Sequence, residues 1–188
     1  MAKIFAGFLF VFLNFNLNFN NGASGSLNLL PDFVGFILLY LGTQQLRQET
    51  ERYHQAKPWL LGLAVYSGIV WVMNLMGRTG SWLAVVLSLV AAVATYYATW
   101  LVIKGFDDIE KKNSVGIAAD ECMRIWKICA ILNIVAMAFS WVPVINILLV
   151  LGMVVVTIML LVSINKTRKL YEGYAMLRHG PEHQGPEF

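Results

Sequence analysis

Residues 81–104 read SWLAVVLSLVAAVATYYATWLVIK, with no charged side chain before Lys104 and a tryptophan near each end. Wound as an α-helix at ~1.5 Å per residue, the run is ~36 Å long, enough to cross a hydrocarbon layer of ~30 Å. Trp82 and Trp100 then lie ~27 Å apart, close to one hydrocarbon thickness, where an indole buries its ring and keeps its N–H wet. Working outward, five more apolar stretches cover roughly residues 4–19, 28–45, 58–77, 125–141 and 143–164. A spanning helix takes about 20 residues. Stretches 58–77, 81–104 and 143–164 meet that length, whereas 4–19 and 28–45 are shorter or more polar and 125–141 is marginal, so a five-span count stays open beside six. Of the 188 residues 58% are hydrophobic and 13% charged, with a mean hydropathy of +0.63, which is more apolar surface than a soluble core of this size hides.

Threading the six stretches alternately across a bilayer sorts the charges. Lys3, the loop with Arg47, Arg52 and Lys57, the loop with Lys104, Lys111, Lys112, Arg124 and Lys127, and the tail with Lys166, Arg168, Lys169 and Arg178 all fall on one side. Of the 14 basic residues only Arg78 is left opposite. Short loops rich in Lys and Arg stay cytoplasmic. The expectation is therefore an all-α integral membrane bundle of six transmembrane helices in three hairpins, in the plasma membrane, with both termini cytoplasmic. The second pair of tryptophans, Trp126 and Trp141, brackets stretch five in the same way, and Trp59 marks the inner end of stretch three. Trp71 is off this belt, ~18 Å from Trp59 along the helix, where it either lines a pocket or packs between helices.

The outer turns, at 20–27, 77–81 and 140–143, are tight and the inner connections longer. Residues 43–57 read as a polar helix, and 104–112 as a continuation of stretch four with Asp107/Lys111 and Asp108/Lys112 at i, i+4 spacing, ended by Asn113-Ser114-Val115-Gly116. After Asn165, the residues Leu170, Tyr171, Tyr174 and Leu177 share one face among Lys166, Arg168, Lys169 and Arg178. That pattern suits an interfacial helix over 166–178 or an ordinary positive flank of the last span. The bundle domain is expected over 1–178 and a flexible tail over 179–188, whose Gly-Pro-Glu repeats cannot bury apolar area. The start of the chain, with Lys3, the apolar Ile4 to Leu13 and a small-residue patch near Ala23, also resembles a signal peptide, though Asn21 is poorly placed for cleavage.

Catalytic signatures are absent: the sequence carries no phosphate loop, no G-x-S-x-G, no H-E-x-x-H and no cluster of intramembrane carboxylates, so no enzyme is expected. Cys122 and Cys129 have no neighbouring His or second Cys pair, and His179 and His183 belong to the tail, so neither a metal nor a cofactor is expected. Nucleic acid is not expected as a partner.

The most specific local feature is Leu29-Leu30-Pro31-Asp32-Phe33-Val34-Gly35-Phe36, preceded by Asn14, Asn16, Asn18, Asn20, Asn21 and Asn28. Asp32 is the one acid of 11 outside the inner loops and tail, and Arg78 is its natural partner. A charge at the bilayer centre costs ~2.5–3.5 kcal/mol or more, so Asp32 belongs near the interface or beside a wet cavity. Its position next to Pro31 also suits a helix start, where a carboxylate meets free N–H groups and the positive dipole end. The Asn/apolar alternation from Asn14 to Asn20 has the two-residue period of a strand, yet on a helix Asn14, Asn18 and Asn21 share a face. Asn74, Asn133 and Asn146 place amides inside stretches three, five and six, where hydrogen bonds between helices are their usual purpose.

With its short Phe-rich first segment and L-P-D-F-x-G helix start, the chain resembles a family of uncharacterised small multipass membrane proteins of anaerobic Gram-positive bacteria. Residues 4–42 carry the resemblance, and Lys57 to Asn74 carry it faintly; it implies a topology and no activity. In length and helix number the chain is also similar to the substrate-binding subunits of energy-coupling-factor transporters, which bind a solute near the outer face. Segment one lacks a convincing small-residue pair of the kind those subunits use to contact their transporter, although Ala2 and Ala6 have the spacing.

Two functions fit these readings. The first is a solute-binding or transport subunit, with a pocket near the outer face built from Asn18, Asp32, Tyr66, Trp71, Asn74 and Arg78 around a small polar or zwitterionic ligand. The second is a non-enzymatic interaction protein, such as an immunity, regulatory or assembly factor, that meets a partner membrane protein through its inner helices and basic tail. A polar cavity reaching the outer surface favours the first. A solid interior with exposed apolar inner loops favours the second.

Overall fold

The computed structural model describes residues 1–12, 16–19, 25–28, 31–75, 82–139 and 142–178. Among them lie six helices: α1 (Ala2–Phe12), α2 (Asp32–Gln45), α3 (Arg52–Leu75), α4 (Trp82–Asn113), α5 (Ala119–Ala138) and α6 (Pro143–Arg178). A two-stranded antiparallel ladder, β1 (Asn16–Phe19) with β2 (Gly25–Asn28), joins α1 to α2 and touches α3. Each helix packs on the next, and α6 returns to α1, which closes the bundle. Three helices, α3, α4 and α6, are long and apolar enough to cross a membrane. They are the three whose length the sequence already satisfies.

Four expectations need correction. Stretch 4–19 is not one helix: α1 stops at Phe12 after 11 residues, ~16 Å, too short to cross ~30 Å of hydrocarbon. The two-residue Asn/apolar period favours a strand, and β1 pairs with β2 in the register Asn16↔Asn28, Leu17↔Leu27, Asn18↔Ser26, Phe19↔Gly25. Residues 43–57 are not a separate polar helix either, because α2 runs to Gln45, a turn follows, and α3 starts at Arg52. No break falls at Asn165: α6 is continuous over 36 residues, ~54 Å, so 166–178 prolongs the last span instead of lying as its own interfacial helix. Finally, Trp126 is not a belt residue. It is 9% exposed, and its indole N–H donates to Thr99 Oγ1 of α4 at 3.2 Å. Trp82 and Trp141 have side chains outside the described residues.

The inner ends of the helices are drawn together by polar contacts between segments far apart in sequence. Asp108 of α4 accepts from Arg52 Nε at 2.7 Å and from Thr50 Oγ1 at 2.8 Å. Lys112 then turns to the carbonyls of Gln48 (3.0 Å) and Glu49 (3.2 Å) rather than to Asp108. The Asp107/Lys111 pair forms as spaced, at 3.0 Å, with Lys104 on the same carboxylate oxygen at 2.6 Å. After α4 the chain turns through Ser114 (φ 51°) and Ala118 (φ 60°). Glu110 closes that turn by accepting from the backbone N–H groups of Ile117 (3.1 Å) and Ala119 (2.9 Å), which satisfies free donors at the start of α5. Tyr174 donates to Asn113 at 3.3 Å, Lys166 meets Glu121 at 2.6 Å, and the Arg168 guanidinium lies 5.1 Å from the centre of the Phe5 ring. The first helix, both long connections and the end of α6 thus gather at one end of the molecule.

The core sits at that same end. Ile4, Phe8, Leu39, Leu60, Ile103 and Leu160 are fully buried. Glycines let α1 and α2 approach closely: a Cβ on Gly42 would meet Ile4 Cγ1 at 2.5 Å and Ile4 N at 2.8 Å, and one on Gly7 would meet the Gly35 carbonyl at 2.8 Å. Toward the other end the helices separate and their apolar side chains face outward. Val65, Val93, Ile134 and Leu148 are 63–65% exposed. A surface of that kind needs lipid or a partner to cover it.

Candidate functional site

Where α1 to α4 diverge, they leave a cavity of about 290 Å³, against the ~10–15 Å³ that one water needs. Its walls follow from helical spacing. On α3, Leu63, Tyr66, Ser67, Val70 and Trp71 share one face. Ser88, Ala91, Ala92 and Thr95 do the same on α4, at i, i+3, i+4 and i+7. Asp32 and Phe36, one turn apart on α2, and Val11 of α1 close the remaining side. The alanines of α4 keep that wall low and so leave the volume open.

Asp32 reaches this cavity because of how α2 begins. Pro31, with φ −65° and ψ 123°, occupies the N-cap position, and Val34 N donates to its carbonyl at 3.0 Å. Proline offers no capping side chain, so Asp32 is the first residue inside the helix, where its charge meets the positive dipole end. One turn of α2 therefore aims both a carboxylate and, through Phe36, an aromatic ring at the same volume. The next residue, Phe33, meets Trp71 edge-on with ring centres 5.8 Å apart and planes at 64°. Trp71 thus both packs between helices and lines the cavity.

Hydroxyls supply the other polar groups. Ser67 Oγ donates to the Leu63 carbonyl at 2.6 Å, and Thr95 Oγ1 donates to the Ala91 carbonyl at 2.8 Å. Both protons are spent within their own helices, which leaves oxygen lone pairs for anything in the cavity. One turn further along α4, Thr99 repeats the arrangement: it donates to the Thr95 carbonyl at 2.8 Å and accepts from the Trp126 indole.

Of the six residues the sequence singled out, the structure brings Asp32, Tyr66 and Trp71 around one cavity. Asn18 lies in β1 and Asn74 in the last turns of α3, but their side chains, like the whole of Arg78, lie outside the described residues. Sequence reasoning missed Ser67, Ser88 and Thr95. The signal was present in the spacing of Ser88, Ala91, Ala92 and Thr95, a small and polar stripe in an otherwise bulky apolar helix. Asn133, expected to bridge helices, does so weakly, with its amide 3.9 Å from Met153 Sδ of α6.

Two other depressions differ in character. Between α3 and α4 an apolar groove of about 500 Å³ is lined by Trp59, Leu89, Val90, Val93, Ala94 and Tyr97. At the inner end a shallow depression of about 560 Å³ carries both signs of charge, with Arg47, Glu49, Glu51, His54 and Lys112. Among the described residues no group of three or more His, Cys, Asp or Glu side chains is placed to hold a metal ion. Cys122 and Cys129 are free and buried. No protein-family model, curated protein or solved structure matches the chain.

Proposed function

We propose that the chain is a multipass protein of the bacterial plasma membrane that binds a small polar solute near its outer face, as a solute-binding or transport subunit and not as an enzyme. The cavity between α1 and α4 carries this reading: it joins a carboxylate, three aromatic rings and several hydroxyls in a bundle otherwise apolar at that level. Its size is close to the ~300–1,000 Å³ usual for small-molecule sites. Both termini are cytoplasmic, because the basic connections share one end with α1 and the end of α6, and such loops stay inside. This orientation holds although α1 is short, since α1 and α2 form a hairpin whose two free ends lie together. The likeness to small multipass proteins of anaerobic Gram-positive bacteria belongs to the same reading.

A thermal-shift screen of the detergent-purified protein against vitamins, amino acids, nucleosides and ions tests it. A ligand at 100 times its dissociation constant adds ~2.7 kcal/mol of stability, a readable shift. The expected result is a hit that disappears when Ala92→Trp fills the cavity. A silent panel, or a hit untouched by that substitution, counts against the reading. A second reading, a non-enzymatic immunity, regulatory or assembly factor, draws on Met176 and Leu177, which are 75% and 86% exposed at the inner end of α6. Capture of a partner membrane protein that is lost in Met176→Ser/Leu177→Ser is its test.

A further inference from the structure

We infer that the outer cavity takes a small organic ammonium ion: Asp32 opposes its charge, aromatic rings surround its body, and Ser67 and Thr95 accept hydrogen bonds from it. The inference rests on the solute-binding reading and narrows it to one chemical class. The argument is an inventory of donors and acceptors. A carboxylate only accepts, and a hydroxyl that has already given its proton to a carbonyl of its own helix only accepts. Ser67 and Thr95 have both done so, at 2.6 Å and 2.8 Å. Three polar groups of the wall, drawn from α2, α3 and α4, therefore offer lone pairs, and a guest that pairs with them must bring N–H or O–H groups. An anion would face the carboxylate and two oxygen lone pairs without a gain.

The same molecule already shows such a hydroxyl at work. Thr99, one turn from Thr95 and bonded to its helix in the same manner, receives the Trp126 indole N–H at 3.2 Å. Thr95 is set up identically but faces the cavity. Phe36, Tyr66 and Trp71 add ring faces that attract a cation within ~6 Å of their centres, more strongly when water is excluded. The volume of about 290 Å³ is far larger than a bare inorganic ion requires and points to an organic cation.

Three probes with the same four-carbon chain isolate the charge: 1,4-diaminobutane, 1,4-butanediol and succinate, joined by ethanolamine and choline as further ammonium ions. Thermal shifts are measured at constant ionic strength, with sodium and potassium chloride as inorganic controls. At least one ammonium probe is expected to stabilise the protein, with butanediol and succinate at least tenfold weaker than the diamine if the diamine binds. Asp32→Asn should weaken the binding tenfold or more and Thr95→Val several-fold. Thr99→Val makes the same chemical change outside the cavity and should leave affinity unchanged relative to its own ligand-free baseline. Equal shifts from succinate or butanediol, equal shifts from sodium or potassium, full binding in Asp32→Asn, or silence from all three ammonium probes would each overturn the assignment. A neutral or anionic compound from the broader screen that binds and is blocked by Ala92→Trp would overturn the ammonium class alone and keep the solute-binding reading. Silence from every compound would remove both.

Discussion

On α4, Ala98, Leu101, Val102, Ile103 and Phe106 are at most 1% exposed, while Val86, Leu87, Leu89, Val90 and Val93, a few turns outward, are 48–65% exposed. The composition of the two stretches is nearly the same. What differs is the neighbourhood: inward of Ala98 the helix is drawn against its neighbours by Asp108, Lys112 and Glu110, which bind the connections on either side. Outward of it no such clasp acts on the described residues, so the helices part, lipid covers their flanks, and the cavity opens between them. An apolar side chain is equally content in protein or in acyl chains, so burial alone does not hold a membrane bundle together. Polar contacts and close backbone packing decide where it is tight.

The sharpest way to break this contrast uses two glycines. Gly42→Leu must displace the backbone of Ile4 as well as its side chain and should cost about 3 kcal/mol, or prevent accumulation of the protein. Gly62→Leu meets nothing within 4 Å and should change stability by less than about 1 kcal/mol. Equal losses in thermal unfolding would mean that the two ends are packed alike. A smaller effect is expected from the inner clasp. Asp108→Asn should cost about 1–2 kcal/mol by removing the charge that holds Arg52 and Thr50, reduced from a fully buried pair because both side chains are about one-third exposed. A double-mutant cycle with Arg52→Gln should return coupling of about 0.5–1 kcal/mol, and zero coupling would remove the pair from the clasp. Smallest of all, Thr99→Val should cost ~0.6–1.7 kcal/mol through the lost Trp126 bond. Thr95→Val, in the cavity wall, should leave the ligand-free protein within about 0.5 kcal/mol of the parent.

Much of this contrast can be traced to particular residues of the chain. The long apolar runs of α3, α4 and α6 announce themselves because a helix crossing lipid needs length and no charge, both local properties. Asp32 was visible as the lone acid away from the other ten, and Tyr66 and Trp71 as polar-tipped aromatics off the interfacial belt. Ser67 and Thr95 were not, because a hydroxyl that bonds its own helix looks like an ordinary helical residue until the facing wall is known. Asp108 misled for the same reason. Its i, i+4 spacing points to Lys112, yet Arg52, 56 residues away in sequence, takes the carboxylate.

Helix identity, the pairing of helices into hairpins, and the common end of the basic connections were determined by the sequence alone, because apolar period, length and charge placement act within a few turns. Tertiary structure alone decided that α1 ends in a ladder partnered by β2, that Trp126 is buried on Thr99, and that four helices leave a cavity with Asp32 at its wall. Each of these depends on which distant surface arrives opposite a residue, and that information is carried by packing rather than by any local pattern.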